Sequence, residues 1–443
     1  MERFFRLKEL GTNIRTELIA GLTTFMTMAY ILVVNPAILS GAGLEFYAVF
    51  LATALAAGIF TILMGLVVNF PVALAPGMGL NAYFAAVVAG GEEITPEVAL
   101  TAVFISGIIF IILTLTQIRQ MLVTAVPDSL KFAITAGIGL FITIIGVKNS
   151  GIMTINEGGV IGIGSITDPN VWLTIVGIFL IGILMVLRVP GAILLGIVLT
   201  TILAAITGNV GTISDDAKWV PDFSQLNFWH FDFAAAFEVG LITIVLTFTF
   251  VELFDTFGTL VGTANRAGID TNTAEGKKKI GKAMLVDAIS VSGGAVLGTS
   301  TVTAYVESSS GIAQGGRSGL TAVTVGVLFL LSLFIAPIVT LVPGSATSAA
   351  LVIVGALMMQ SIKNINFTDY VYAIPAFLMV VIMPFTYNIA NGISFGIVSY
   401  VILALTANLA GKKAEDGSSY KIHWLMWVLA ILIVARYIFM GGE

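Results

Sequence analysis

The sequence predicts an all-α polytopic membrane protein of about fourteen transmembrane segments, built as two inverted seven-span repeats. Three observations predict it. The 443 residues are 58% hydrophobic and only 10% charged, with mean hydropathy +1.04, whereas a soluble domain carries roughly 25% charged residues. Apolar windows long enough to cross a bilayer recur from one end of the chain to the other. Segments of the first half return, in order, in the second.

The spans are read at 17–36, 45–69, 71–89, 98–117, 130–147, 171–187, 190–208, 236–258, 279–294, 299–313, 319–342, 346–362, 369–386 and 389–409. A further apolar stretch, HWLMWVLAILIVARYIF at 423–439, is bounded by Trp, Arg and Tyr and reads either as an extra span or as an interfacial helix. The start, MERFFRLKELGTNIRTEL, is polar and basic and leads into a full span, unlike a secretory signal.

Lysine and arginine set the expected orientation. Arg3, Arg6, Lys8 and Arg15 precede the first span, so the N-terminus is expected in the cytoplasm and the protein in the cell inner (plasma) membrane. The same count places Arg119, Arg188, Arg266, Lys277, Lys278, Lys279, Lys282, Arg317, Lys412 and Lys413 inside, with 91–97 and 209–234 outside. One of Lys148 and Lys363 must break the bias.

Three ordered pairs carry the repeat. AVPDSLKFAITAGIGLFITIIGVKNSG at 125–151 matches LVPGSATSAALVIVGALMMQSIKNIN at 341–366, aligning Pro127 with Pro343 and Lys148-Asn149 with Lys363-Asn364. GIVLTTILAAITGN at 196–209 matches GIVSYVILALTAN at 396–408, and FPVALAPGMGLNAYFAAV at 70–87 matches GAVLGTSTVTAYVESSSG at 294–311. An odd number of spans per copy inverts the second copy, and that symmetry points to alternating access with a site near mid-membrane.

Spans three and ten carry the breaks. Pro76 removes a backbone donor, and Gly77 and Gly79 weaken helix continuity, so the helix of span three is expected to begin after them. Thr299, Thr301, Val302 and Thr303 give span ten a β-branched run that favours extended backbone. Two short extended segments, each followed by a half-helix, are therefore expected to cross at the membrane centre, presenting helix N-termini to a ligand.

Three carboxylates lie in the spans around this crossing: Glu252 and Asp255 in FVELFDTFG, and Glu307 in TSTVTAYVESSSG. A charge at bilayer depth is costly and marks a substrate or ion path. Glu252 and Asp255, three apart, lie on adjoining helix faces. Buried carboxylates can hold a proton near neutral pH and can accept hydrogen bonds from planar N–H edges such as those of a nucleobase. The bland alternative for each is a hydrogen bond to a neighbouring Ser or Thr that locks helices together. Asp287, in LVDAISVSGG, reads as a structural hydrogen-bonding residue or as part of a proton path. Asn81, Tyr83, Thr23, Thr24, Thr27, Tyr30 and Thr303 supply neutral polar groups. Phe25 and Phe84 have the shape to stack on an aromatic ligand, although with 29 phenylalanines packing explains any one of them. Asn388 and Asn391 read as helix termination.

With no cysteine and only His230 and His423, neither a disulfide framework nor a thiolate or histidine metal centre is expected, and no cofactor. Without a GxxxxGK[ST] segment the chain is not by itself a nucleotide-driven pump. No Ser/His pair at membrane depth suggests an enzyme, and interrupted inverted copies favour a carrier over a channel. Nothing indicates a nucleic-acid partner.

GLTTFMTMAYILVVNP, APGMGLNAYFA, FDTFGTLVGTANRAG and GTSTVTAYVESSSGIAQGGRSGLTA resemble the signature segments of AzgA-like purine permeases, within the nucleobase–ascorbate transporter superfamily that includes uracil permeases. The resemblance runs in order along essentially the whole chain. It implies a uracil-permease-like fold with a core domain at 1–120 and 236–342, a gate domain at 121–210 and 343–410, an outer connection at 211–235, and a C-terminal segment at 411–443 that departs from the pattern. It also implies proton-coupled uptake of hypoxanthine, guanine or adenine, and a homodimer in the bilayer. By this resemblance the substrate-binding carboxylates fall on Asp255 and Glu307 and the span-three amide on Asn81, with Thr27 and Thr303 beside them. Glu307, Asp255, Glu252 and Asp287 become the candidates for proton coupling. A sulfate-permease-like anion transporter of the same architecture is the competing reading, opposed by carboxylates at the site.

Overall fold

In hydrocarbon every backbone N–H must find its carbonyl within its own segment, so long apolar runs fold as helices. The computed structural model describes residues 2–90, 94–116, 125–155, 161–211, 218–238, 241–270, 273–414 and 417–439, without the side chains of Glu238, Thr243, Phe254, Asp255 and Phe257. Among the described residues ten helices are long and apolar enough to cross a membrane, from Ile14–Ser40 to Ile389–Leu409. Met78–Gly90, Ala192–Ile206, Tyr370–Phe385 and Trp424–Ile438 are shorter apolar helices. Exposed Leu22, Ile112, Ile183, Ile202 and Ile402 give these helices apolar outer faces suited to lipid.

The expected breaks are present. Span three is a strand, Leu74–Pro76, followed by the helix Met78–Gly90; span ten is a strand, Val302–Ala304, followed by the six-residue helix Ser308–Ala313. The strands pair antiparallel with Leu74 opposite Ala304, Ala75 opposite Thr303 and Pro76 opposite Val302. Gly77 N–H donates to Thr301 O (2.9 Å) and Tyr305 N–H to Ala73 O (3.0 Å), extending the ladder at both ends. Pro76 fits because a residue on the outer side of a two-stranded ladder owes it no donor.

Other features differ from the sequence expectation. Span one is two helices, Ile14–Met28 and Ile31–Ser40, parted at Ala29–Tyr30. Span eight is Ile242–Arg266 rather than 236–258, and span nine is Ala274–Leu297 rather than 279–294. Hydropathy windows stop at polar residues, whereas the helices continue through Arg266 and Lys277–279. A second two-stranded sheet joins Met153–Ile155 to Ile161–Ile163.

Residues Met1–Leu115 with Ile145–Ile353 form one compact unit, and Thr116–Ile144 with Val354–Glu443 form another. In the first, the helix Phe46–Leu63 with its π-helical last turn Met64–Val68 crosses Gly319–Leu331 at glycines. A Cβ on Gly319 would lie 2.0 Å from Gly65 O, and one on Gly326 would lie 2.6 Å from Gly58 O. Small residues of this kind let membrane helices approach backbone to backbone. In the second unit, Trp424–Phe439 lies beside Ile389–Leu409, with Tyr437 Oη donating to Asn391 Oδ1 (2.6 Å) and Tyr420 paired with Asn408. Asn388 caps Ile389–Leu409 through the Ala390 N–H (2.8 Å).

Candidate functional site

The site is built in the first unit, where the paired strands cross. Six hydrogen bonds hold their outward-facing backbone. Thr61 Oγ1 accepts from Leu74 N–H (2.8 Å) and donates to Leu74 O (2.9 Å), and Ser308 Oγ accepts from Ala73 N–H (3.0 Å). On the other strand, Asp287 Oδ1 accepts from Ala304 N–H (3.0 Å) and Ser290 Oγ donates to Val302 O (2.7 Å), while Tyr305 Oη reaches back to donate to Pro76 O of the first. Thr61 in the first copy and the Asp287–Ser290 pair in the second thus do corresponding work. Asp287 is fully buried and holds extended backbone in place.

The span-one helix pieces run antiparallel to the span-ten region in four steps. Glu17, fully buried, accepts from the Arg317, Ser318 and Thr321 N–H groups (2.9–3.2 Å) and from Thr321 Oγ1 (2.6 Å), capping the helix that follows. Thr24 packs against Gly311, where an added Cβ would fall 2.2 Å from Thr24 Oγ1. Tyr30 Oη donates to Glu307 Oε1 (2.7 Å). Asn35 Nδ2 donates to Thr299 Oγ1 (2.9 Å) and to Thr53 Oγ1 (2.7 Å). The break at Ala29–Tyr30 sits between the second and fourth steps, beside the one carboxylate of the series that is only half-buried, Glu307.

Of the residues singled out in the sequence, Glu252, Thr303 and Asp287 come together. Thr256 Oγ1 donates to Glu252 Oε1 (3.1 Å) and lies 2.8 Å from Thr303 Oγ1, whose hydroxyl reaches Asp287 Oδ1 at 3.4 Å. Hydroxyls thereby connect two buried carboxylates on neighbouring spans. Asn81 is also fully buried: its Nδ2 donates to Asn35 Oδ1 (2.5 Å), and its Oδ1 accepts from Ser300. The amide is taken up in tying span three to spans one and ten. Thr27 stands apart, donating to Thr24 O (2.8 Å) and Thr23 O (3.2 Å) in its own helix. Phe25 packs edge-on against Phe329 at 5.1 Å, and Phe84 is fully buried, so both serve packing. The Asp255 side chain lies outside the described residues; its backbone belongs to Ile242–Arg266.

Sequence reasoning passed over Glu17, Asn35, Thr61 and Thr256. Glu17 had a signal: a carboxylate three residues inside the first helix, although its partners lie 300 residues on. Asn35 precedes Pro36 and reads locally as a helix end.

Comparison with known proteins agrees with this architecture. The Permease family model, Xan_ur_permease, matches residues 15–395. The guanine/hypoxanthine permease PbuO of Bacillus subtilis is 44% identical, over 97% of this chain and 98% of its own. The adenine permease AdeP of Escherichia coli is 41% identical, over 100% of this chain and 97% of its own. Among solved structures, the transmembrane domain of the cyanobacterium bicarbonate transporter BicA aligns with TM-score 0.63 at 17% identity, over 89% of this chain and 97% of that one. That likeness shows the fold, a membrane-embedded pair of inverted seven-span repeats. The chain belongs to the Permease family, in its AzgA-like branch, and is a multi-pass membrane transporter rather than an enzyme.

Proposed function

We propose that this protein imports purine nucleobases, hypoxanthine and guanine ahead of adenine, in symport with protons across the plasma membrane. The observation that carries the reading is similarity over nearly the whole chain, at 41–44% identity, to guanine/hypoxanthine and adenine permeases. The crossing supports it chemically. A purine presents N–H donors along one edge, and carboxylates are the acceptors that match them. Glu307, half-buried with one oxygen held by Tyr30, takes that role together with Asp255. Asn81 and Thr303 set the crossing in place. The hydroxyl-linked carboxylates Glu252 and Asp287, with Glu307 and Asp255, are the candidates for carrying the proton.

The mechanism then needs two protonation states and two orientations. Proton and purine load together; neutralising a carboxylate lowers the cost of moving it through a low-dielectric interior. A core at 1–120 and 236–342 moves against a gate at 121–210 and 343–410 and carries the site across. This division concerns moving parts and is separate from the packing units of the fold. The N-terminus is cytoplasmic and the working form a homodimer.

An anion such as sulfate is the competing cargo. BicA-like folding gives it no support beyond the fold, and Glu252, Asp287 and Glu307 around the crossing oppose a negative ligand. Calorimetric binding of hypoxanthine, guanine, adenine, uracil and sulfate to the purified protein separates the readings. Purine binding with no sulfate binding is expected; sulfate binding without purine would overturn the assignment.

A further inference from the structure

A cavity lies away from the crossing, at the ends of spans one, two, eleven and twelve that lysine and arginine assign to the outside. It encloses about 360 Å³, and Ser40, Glu45, Phe46, Tyr47, Thr340 and Thr347 contribute to its lining. That is within the range of roughly 300–1,000 Å³ typical of small-ligand pockets. Ser40 is ten residues beyond Tyr30, so the cavity sits about 15 Å along span one from the Tyr30–Glu307 pair at 1.5 Å per residue.

Several side chains of the lining offer acceptors. The hydroxyls of Ser40, Thr340 and Thr347 all donate to backbone carbonyls of their own segments, those of Pro36, Pro337 (3.0 Å) and Gly344 (2.9 Å). Their protons are committed, and toward the cavity they offer lone pairs. Glu45, which precedes the helix Phe46–Leu63, is exposed, and its carboxylate has no hydrogen-bond or ion-pair partner among the described residues. Phe46 adds an aromatic face, and Tyr47, buried, is pinned from behind by the Asp222 N–H (3.1 Å). A carboxylate and hydroxyl oxygens beside an aromatic ring suit a flat ligand that carries N–H donors.

We propose that this cavity is an outer purine station, where a base stacks on Phe46 and donates an N–H to Glu45 before passing to the crossing site. The proposal rests on the purine reading above and assigns a second, weaker site to the same substrate class. Glu45 captures; Glu307 and Asp255 carry.

The test is equilibrium dialysis of labelled hypoxanthine and adenine against the purified full-length wild type, Glu307→Ala, Glu45→Gln and the double variant, each checked for an unchanged melting temperature. Two classes of site are expected in the wild type, only the weaker one in Glu307→Ala, and that one weakened a further three- to tenfold or about that in the double variant. In proteoliposomes Glu45→Gln should raise the KM for uptake about three- to tenfold, the value of one hydrogen bond, while leaving the KM for exchange from the inner face unchanged. Glu307→Ala binding no purine while the wild type binds tightly, or Glu45→Gln uptake with wild-type KM, would overturn the station and leave the transport reading standing. Weak binding that sodium or magnesium abolishes at equal ionic strength would make the cavity a cation site and overturn it equally. A wild type that binds no purine removes both.

Discussion

Tyr30 Oη stands 2.7 Å from Glu307 Oε1, joining the break in span one to the residue just ahead of the span-ten half-helix. Each partner sits where regular helix stops, so the bond positions a carboxylate that no helical backbone fixes. A hydrogen bond to a charged group contributes about 1.5–3 kcal/mol, and Tyr30→Phe is expected to weaken purine binding roughly tenfold to a hundredfold. Isothermal titration of the two proteins checks it; unchanged affinity would show that Tyr30 serves packing alone.

Asn35 is the hub of a buried amide lock that reaches Thr53, Thr299 and Asn81. Asn35→Ala leaves Asn81 Nδ2 and the Thr299 hydroxyl without this buried partner, at about 1–3 kcal/mol for each group left unmet, while Thr53 keeps its bond to Val49 O. A clear fall in melting temperature in detergent is expected, with Asn35→Asp losing less because it keeps the acceptor for Asn81. Equal losses in both variants would mean that volume, not hydrogen bonding, matters there.

Glu17 terminates the helix Gly319–Leu331 with its side chain, accepting three backbone N–H groups and one hydroxyl. Glu17→Ala leaves those buried donors unmet and is expected to cost at least about 2 kcal/mol. Glu17→Gln, which retains one acceptor oxygen, should recover part of the loss. The comparison of melting temperatures is direct: a Gln variant no better than Ala would contradict the capping role.

Gly319 and Gly65 bring two helices to backbone contact, and any side chain at Gly319 meets Gly65 O. Gly319→Leu is expected to lower the yield of folded protein sharply, because overpacking costs about 1–3 kcal/mol even where neighbours can shift. Backbone cannot shift as a side-chain tip can. Size-exclusion of detergent extracts reads the outcome, and a monodisperse wild-type-like peak would refute the close approach.

Asp222, in the segment between the two repeats, accepts from Ser224 Oγ (2.6 Å) and Lys218 Nζ (3.0 Å), and these bonds hold its carboxyl below the usual aspartate range. A depressed folded pKa means the tie is fully present above the ordinary range and is lost only as pH falls through the lower folded value. Protection of the Ser224 amide from hydrogen exchange, corrected for intrinsic rate, should therefore persist through the ordinary aspartate range. Asp222→Asn should remove that pH dependence.

The membrane class and the crossing were legible because their causes are local. Pro76 and Gly77 cannot continue a helix, and Thr299 to Thr303 favour extension, so a strand pair at the centre could be read from the chain. The repeat located it twice. What was not legible is pairing across distance. Glu17 finds its partners 300 residues away, and Asn35 joins Thr299 across 264. Nothing near either residue announces that. Asn81 shows the opposite case: its identity stood out, but only coordinates reveal that its amide is bound to Asn35 and Ser300. The start of span nine was misplaced because Lys277–Lys279 interrupt hydropathy without interrupting helix.

The most direct measurement is uptake of labelled hypoxanthine into proteoliposomes, with and without an inward proton gradient, for the wild type, Asp255→Asn and Glu307→Gln. Gradient-stimulated purine uptake is expected in the wild type and is expected to be lost in both variants, with folded protein recovered in each. Wild-type uptake indifferent to the gradient, or full uptake in the two variants, would contradict a carboxylate-borne, proton-coupled site at the strand crossing.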